Sequence, residues 1–142
     1  MSDQKEPQLP KLPYTYRAEV VQQESGGKVR IRVYGLHDGI PTSLAPLAEP
    51  ALDIFGAGDG TGMASIPQVG TDVWVFFDGG EINSPVYFAK ATSKSEFATL
   101  ASETSSKIVV PADVCIIIEA GGASIQLCNG NVIVKGQTIL LN

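Results

Sequence analysis

The stretch KIVVPADVCIIIEAGGASIQLCNGNVIVKGQTILLN, residues 107–142, decides how the chain folds. Apolar residues recur there in pairs spaced i, i+2: Ile108/Val110, Ile116/Ile118, Ile125/Leu127, Val132/Val134 and Ile139/Leu141. The last three pairs follow one another at a seven-residue period, with Gly122, Asn129 and Gly136 in the same phase. A seven-residue period often marks a coiled coil, but that structure needs apolar positions three and four apart. Positions i and i+2 share one face of a β-strand instead. Glycine and asparagine accept the left-handed backbone that turns a chain after a short strand. The segment reads as a β-repeat, not a helix.

Such a repeat carries an apolar face and unpaired edges that one copy cannot cover. Burying a single row of aliphatic side chains does not offset the entropy of ordering the segment. Three copies wound together into a triangular prism satisfy every face and leave few lateral edges. The ten pair residues, Ile108, Val110, Ile116, Ile118, Ile125, Leu127, Val132, Val134, Ile139 and Leu141, are therefore the expected trimer core. At the middle position within each of the last three pairs, Gln126 gives way to Ile133 and then Leu140. Ile133 and Leu140, with the terminal Asn142, form a candidate docking collar for a separate tip protein.

Outward from this segment, residues 93–106 (SKSEFATLASETSS) have the small, polar composition of a linker. Upstream, strand-like segments are expected at residues 14–23, 28–36, 51–55, 71–78 and 86–92, with Gly26-Gly27 as a hairpin signal between the first two. Five short strands within residues 14–92 fit a small barrel or sandwich. Trp74 and Phe76 fall on one face of the fourth strand and Val73, Val75 and Phe77 on the other. Both faces being apolar predicts burial on both sides, by the core and by something packed outside. Residues 1–13, polar and punctuated by Pro7, Pro10 and Pro13, read as a flexible arm.

The whole chain has 142 residues, 44% hydrophobic and 18% charged, with 15 glycines and 9 prolines between runs of β-formers. That is an all-β composition, with at most a helical turn or two near residues 94–101. The net charge of -5 opposes binding to phosphate backbones. Lys28, Arg30 and Arg32 alternate with Val29, Ile31 and Val33, as the solvated face of a strand does. Cys115 and Cys128 fall within expected strands, where a buried free thiol acts as a small hydrophobe; their spacing leaves a disulfide open. The first eleven residues lack the apolar core of a secretory signal, so synthesis in the cytoplasm is expected.

Other motifs carry little chemistry. Residues 56–62 (GAGDGTG) lack the GxxxxGK[ST] order of a phosphate loop and read as a connecting loop. His37 beside Asp38 has no nucleophile motif with it and reads as a surface-turn or interface histidine. Asp38, Asp53, Asp59, Asp72 and Asp78 lack the spacing of a calcium loop. No catalytic, cofactor or metal site is expected.

The run Ile66-Pro67-Gln68-Val69-Gly70-Thr71-Asp72-Val73-Trp74-Val75-Phe76-Phe77, followed by Gly79-Gly80 and Ser84-Pro85-Val86-Tyr87, resembles the central spike proteins of contractile phage tails, the baseplate assembly protein V family. Residues 29–33, Gly35-Leu36-His37-Asp38-Gly39, Leu47-Ala48-Glu49-Pro50 and the 56–62 loop match it in type and order. The match covers residues 14–91, with Glu81 following Gly80 where the family often has Asp, and Ala89 where it usually has Gly. The resemblance implies an OB-fold barrel over residues 14–92 followed by a short intertwined trimeric β-helix (a β-prism needle) over residues 107–142. It implies a homotrimeric structural spike at the baseplate tip of a virion, capping the tail tube against hub proteins and helping to pierce the target envelope. Some relatives carry a lysozyme domain or an iron-binding His-x-His tip. The linker here is too short for the first, and His37, the only histidine, stands far from the C-terminus. The alternatives are a spike or adaptor of a type VI-like secretion system and, from another class, an OB-fold module for single-stranded nucleic acid.

Overall fold

The computed structural model describes residues 10–52, 62–92 and 108–140. The chain divides into two compact units, Met1–Thr99 and Leu100–Asn142. The expected linker, residues 93–106, lies outside the described residues, as do residues 1–9 of the arm and most of the 56–62 loop.

The first unit is a closed barrel of five strands: β1 (Tyr16–Gln23), β2 (Val29–Val33), β3 (Leu47–Pro50), β4 (Asp72–Phe77) and β5 (Pro85–Lys90). Around the barrel the order is β1-β2-β3-β5-β4, with β4 returning to pair with β1. All neighbours are antiparallel except β3 and β5, which run parallel. This closed five-strand arrangement fits an OB-fold. Alternation builds it. Along β2, Val29, Ile31 and Val33 are fully buried while Arg30 and Arg32 point outward. Ala18 and Val20 of β1, Ala48 of β3, Val73, Val75 and Phe77 of β4, and Tyr87 of β5 complete the core. The Tyr87 hydroxyl donates to the Gly27 carbonyl at 2.6 Å, so its one polar atom is satisfied inside. Gly26 and Gly27 take positive φ (71° and 74°) in the turn between β1 and β2, which the glycine pair predicts.

The third strand departs from expectation. It occupies Leu47–Pro50, not residues 51–55, of which only 51 and 52 are described. Its position is set by partners distant in sequence: Ala48 faces Val29, and Pro50 faces Tyr87. Proline is tolerated there because Pro50 ends the strand. Lys28, just before β2, and Arg30 and Arg32 within it are also more than a solvated face. Arg30 binds Glu24 (2.9 Å) and the Ala45 carbonyl (3.0 Å), and Arg32 binds the Ile40 carbonyl (2.7 Å) and Thr42 (3.1 Å). Lys28 pairs with Glu49 at 2.9 Å. Together they tie down the connection that leads into β3. At one end of the barrel, the Leu12 amide donates to the Gly80 carbonyl (2.9 Å), and the Leu12 side chain packs on the core with Tyr16 and Ile82.

The second unit is a three-stranded antiparallel meander: β6 (Ile116–Ala120), β7 (Ala123–Cys128) and β8 (Asn131–Lys135). Its connections are two-residue turns, Gly121-Gly122 (φ 55° and 84°) and Asn129-Gly130 (φ 50° and 77°). Positive φ at both central residues matches the twist of the flanking strands, and Asn-Gly is its strongest signal. A wound repeat is not what this single chain displays; its strands pair with one another in a small open sheet. Gly136 has no positive φ, and Ile108, Val110 and Ile139 fall outside the strands, while Leu141 lies outside the described residues. Cys115 and Cys128, whose pairing the sequence left open, are joined by a disulfide.

His37 is buried, at 7% exposure, which corrects the surface-turn reading. Its Nδ1 accepts the Val33 amide at 3.2 Å, while its own amide donates to the Val33 carbonyl at 2.9 Å. Desolvation pushes its pKa below the ordinary value, against a smaller opposing pull from Asp38. The unfolded chain therefore binds this proton more readily than the folded one, and stability falls as pH drops below about 6.5. Replacing His37 with Asn keeps an acceptor but removes the titration. Urea midpoints at pH 7.5 and 5.0 should differ more for the native chain than for His37→Asn; equal differences would exclude His37 as the source.

Candidate assembly surfaces

Two surfaces stand out because they expose what a folded chain normally hides. The first is the outer wall of β4 and β5. While Val73, Val75 and Phe77 line the core, Trp74 and Phe76 point away from it at 39% and 37% exposure. A bulge in β5 opposite Trp74 and Val75 brings Phe88 alongside, with its ring centroid 6.0 Å from that of Phe76. The inner half of the two-sided expectation for β4 is thus filled by the core, and the outer half is an aromatic patch. A polar cluster borders it. Asp72 accepts from Arg17 Nε at 2.8 Å on one oxygen and from the Tyr34 hydroxyl at 2.7 Å on the other. That hydrogen bond, with lesser desolvation and repulsion, pushes the Tyr34 pKa up to about 12. Arg17 lies directly opposite Trp74 across the β1–β4 ladder. The cluster holds the β1 and β4 ladder together beside the aromatic rings.

The second surface is one face of the meander. Ile116 faces Leu127, Ile118 faces Ile125, Ile125 faces Val134, and Leu127 faces Val132. Directly opposed residues lie on the same side of a sheet, so these six share one face. Five of them, Ile118, Ile125, Leu127, Val132 and Val134, are 45–69% exposed. In a sheet whose three strands all contribute, that is an uncovered core. Among the described residues, neither β6 nor β8 has a neighbour on its outer edge.

Three of the five expected pairs therefore meet on this face. Ile108, Val110 and Ile139 lie beyond the strands and are exposed, while Leu141 lies outside the described residues. Of the candidate tip contacts, Ile133 sits on the opposite face, against Gln126. Leu140 is 86% exposed and Asn142 is outside the described residues. Sequence reasoning passed over Ile117, which lies opposite Gln126 and is also exposed. Its signal was the unbroken run Ile116-Ile117-Ile118, apolar on both faces. It also missed that Cys115 and Cys128 face each other, with Cα atoms 4.6 Å apart.

No curated protein matches the chain. The family described as the type VI secretion system and phage-baseplate injector OB domain matches residues 16–90, which runs from the start of β1 to the end of β5. This match spans the closed barrel and covers more than half of the 142 residues, so the chain belongs to the family of injector OB domains of phage baseplates and type VI secretion systems.

Proposed function

We infer that the chain is the structural central spike of a phage-tail baseplate or related contractile injection particle, acting as a homotrimer. Family membership supports a baseplate-related structural role and a tail-associated location. The observation that carries the finer reading is the meander's face of six aliphatic side chains, five of them exposed, between two edges that no strand among the described residues pairs. Apolar surface that strands cannot bury among themselves drives association. A trimer covers it by exchanging strands between copies, so that each wall of the prism takes strands from different chains.

In this reading the barrel end caps the tail tube and docks on hub proteins through the Trp74, Phe76 and Phe88 patch. The needle end bears mechanical load, and Leu140 and Ile133 receive a separate tip protein. The work is mechanical and needs no catalytic group. The nucleic-acid alternative is disfavoured, because Lys28, Arg30 and Arg32 are all engaged within the barrel.

Sedimentation equilibrium of the full chain tests the oligomer. The native protein should weigh three times the 15.0 kDa of one chain. Ile125→Asp, at the centre of the apolar face, should give single chains with an intact barrel; a native monomer at every concentration contradicts the reading. A second check concerns the barrel patch. Phe76→Ser with Phe88→Ser should change barrel stability by only about 1 kcal/mol, since both rings are half-exposed. The same variant should lose co-sedimentation with baseplate hubs, and retained binding would exclude the patch as the dock.

A further inference from the structure

We propose that Cys115 and Cys128 form a redox-controlled assembly site, which sets whether β6 and β7 pair with each other or with strands of neighbouring copies. The inference rests on the trimeric reading above. Ile116 lies opposite Leu127, so the next pair outward is Cys115 with Cys128. Their Cα atoms stand 4.6 Å apart, which is the separation of a closely facing antiparallel pair, about 4.5 Å.

That distance excludes a guest. Adjacent strands lie about 4.7–4.9 Å apart, so no strand from another chain fits between β6 and β7 while the two cysteines are bonded. The bond's place on the hairpin makes it effective. It closes the open end, five residue pairs away from the Gly121-Gly122 turn, over a sequence separation of 13. A link beside the turn would leave the strands free to part, whereas this one forms a ring that cannot unzip from its ends. In a wound prism consecutive strands of one chain belong to different walls, so β6 and β7 must separate. The internal bond and strand exchange are therefore mutually exclusive.

The site is open to chemistry. The cysteines occupy the face opposite the six aliphatic residues, and Cys115 is exposed. The oxidant is a low-molecular-weight disulfide such as oxidised glutathione. One cysteine, as thiolate, attacks a glutathione sulfur, expels a glutathione thiolate and leaves a mixed disulfide. The second cysteine thiolate then attacks the protein-bound sulfur and expels the other glutathione. Two protein thiols thus become one disulfide, and one oxidised glutathione becomes two reduced ones. Where thiols stay reduced, the strands are free to exchange. Once wound, the trimer holds the two cysteines of a chain apart and resists forming the bond.

The test refolds the full chain from denaturant in excess reduced or excess oxidised glutathione, then measures mass by light scattering. Mass spectrometry counts the two hydrogens lost on closing the bond, and Trp74 fluorescence reports that the barrel has folded. The reduced chain should run as a trimer and the oxidised chain as a monomer that returns to trimer on reduction. Cys115→Ser with Cys128→Ser should be trimeric under both conditions. An oxidised chain that carries the internal bond and still runs as a trimer overturns the inference, as does a chain that never closes the bond. A reduced chain and a double variant that are both monomeric overturn the trimeric reading itself.

Discussion

A β-sheet is stable in water when it has somewhere to put its apolar side, and the meander of β6, β7 and β8 buries that side against no other strand among the described residues of its unit. Three short strands bring Ile116, Ile118, Ile125, Leu127, Val132 and Val134 to one face, and among the described residues of the unit no second layer covers them. Layered architectures pair every such face with another element. In the trimer proposed above the missing layer comes from other chains, and the proposed mechanical function depends on this requirement.

The barrel has the opposite character. Closure of β4 onto β1 removes its edges, and ten residues around Ile31 and Val75 form a core that needs no partner. Its polar groups are spent internally: Arg30 and Arg32 hold the path into β3, Tyr87 reaches Gly27, and His37 fastens the turn after β2. In the spike proposed above, a self-sufficient barrel and a dependent sheet divide the labour. One part can be a stable adaptor before assembly, while the other gains its rigidity only on assembly, where shared strands distribute force over several chains.

Much of this was legible in the sequence, for definable reasons. The alternation in residues 28–33 specified β2 and its buried face directly, because side-chain period is a local property. Gly26-Gly27 announced the first hairpin. The third strand was misplaced because its four residues, with Leu47 outward and Pro50 at the end, carry no pattern of their own; β2 and β5 set its position. The i, i+2 pairs revealed the apolar face of the meander, yet the seven-residue period could not say which strands are neighbours. A strand of five or six residues followed by a two-residue turn gives much the same period whether the next strand pairs within the chain or beyond it. Gly121-Gly122 and Asn129-Gly130 were the overlooked signals for pairing within it. The facing of Cys115 and Cys128, and the burial of His37, follow from register and packing, which no local pattern encodes.

Backbone amide hydrogen exchange over residues 116–120 and 131–135 of the native full chain tests the central claim most directly. In an isolated meander, every second amide of β6 and β8 points away from β7 and exchanges freely with water. If neighbouring copies cover the sheet, those outward amides are hydrogen-bonded across chains and exchange as slowly as the amides of β7. Fast exchange confined to the outward amides of β6 and β8, in a chain whose barrel amides remain protected, would contradict the account.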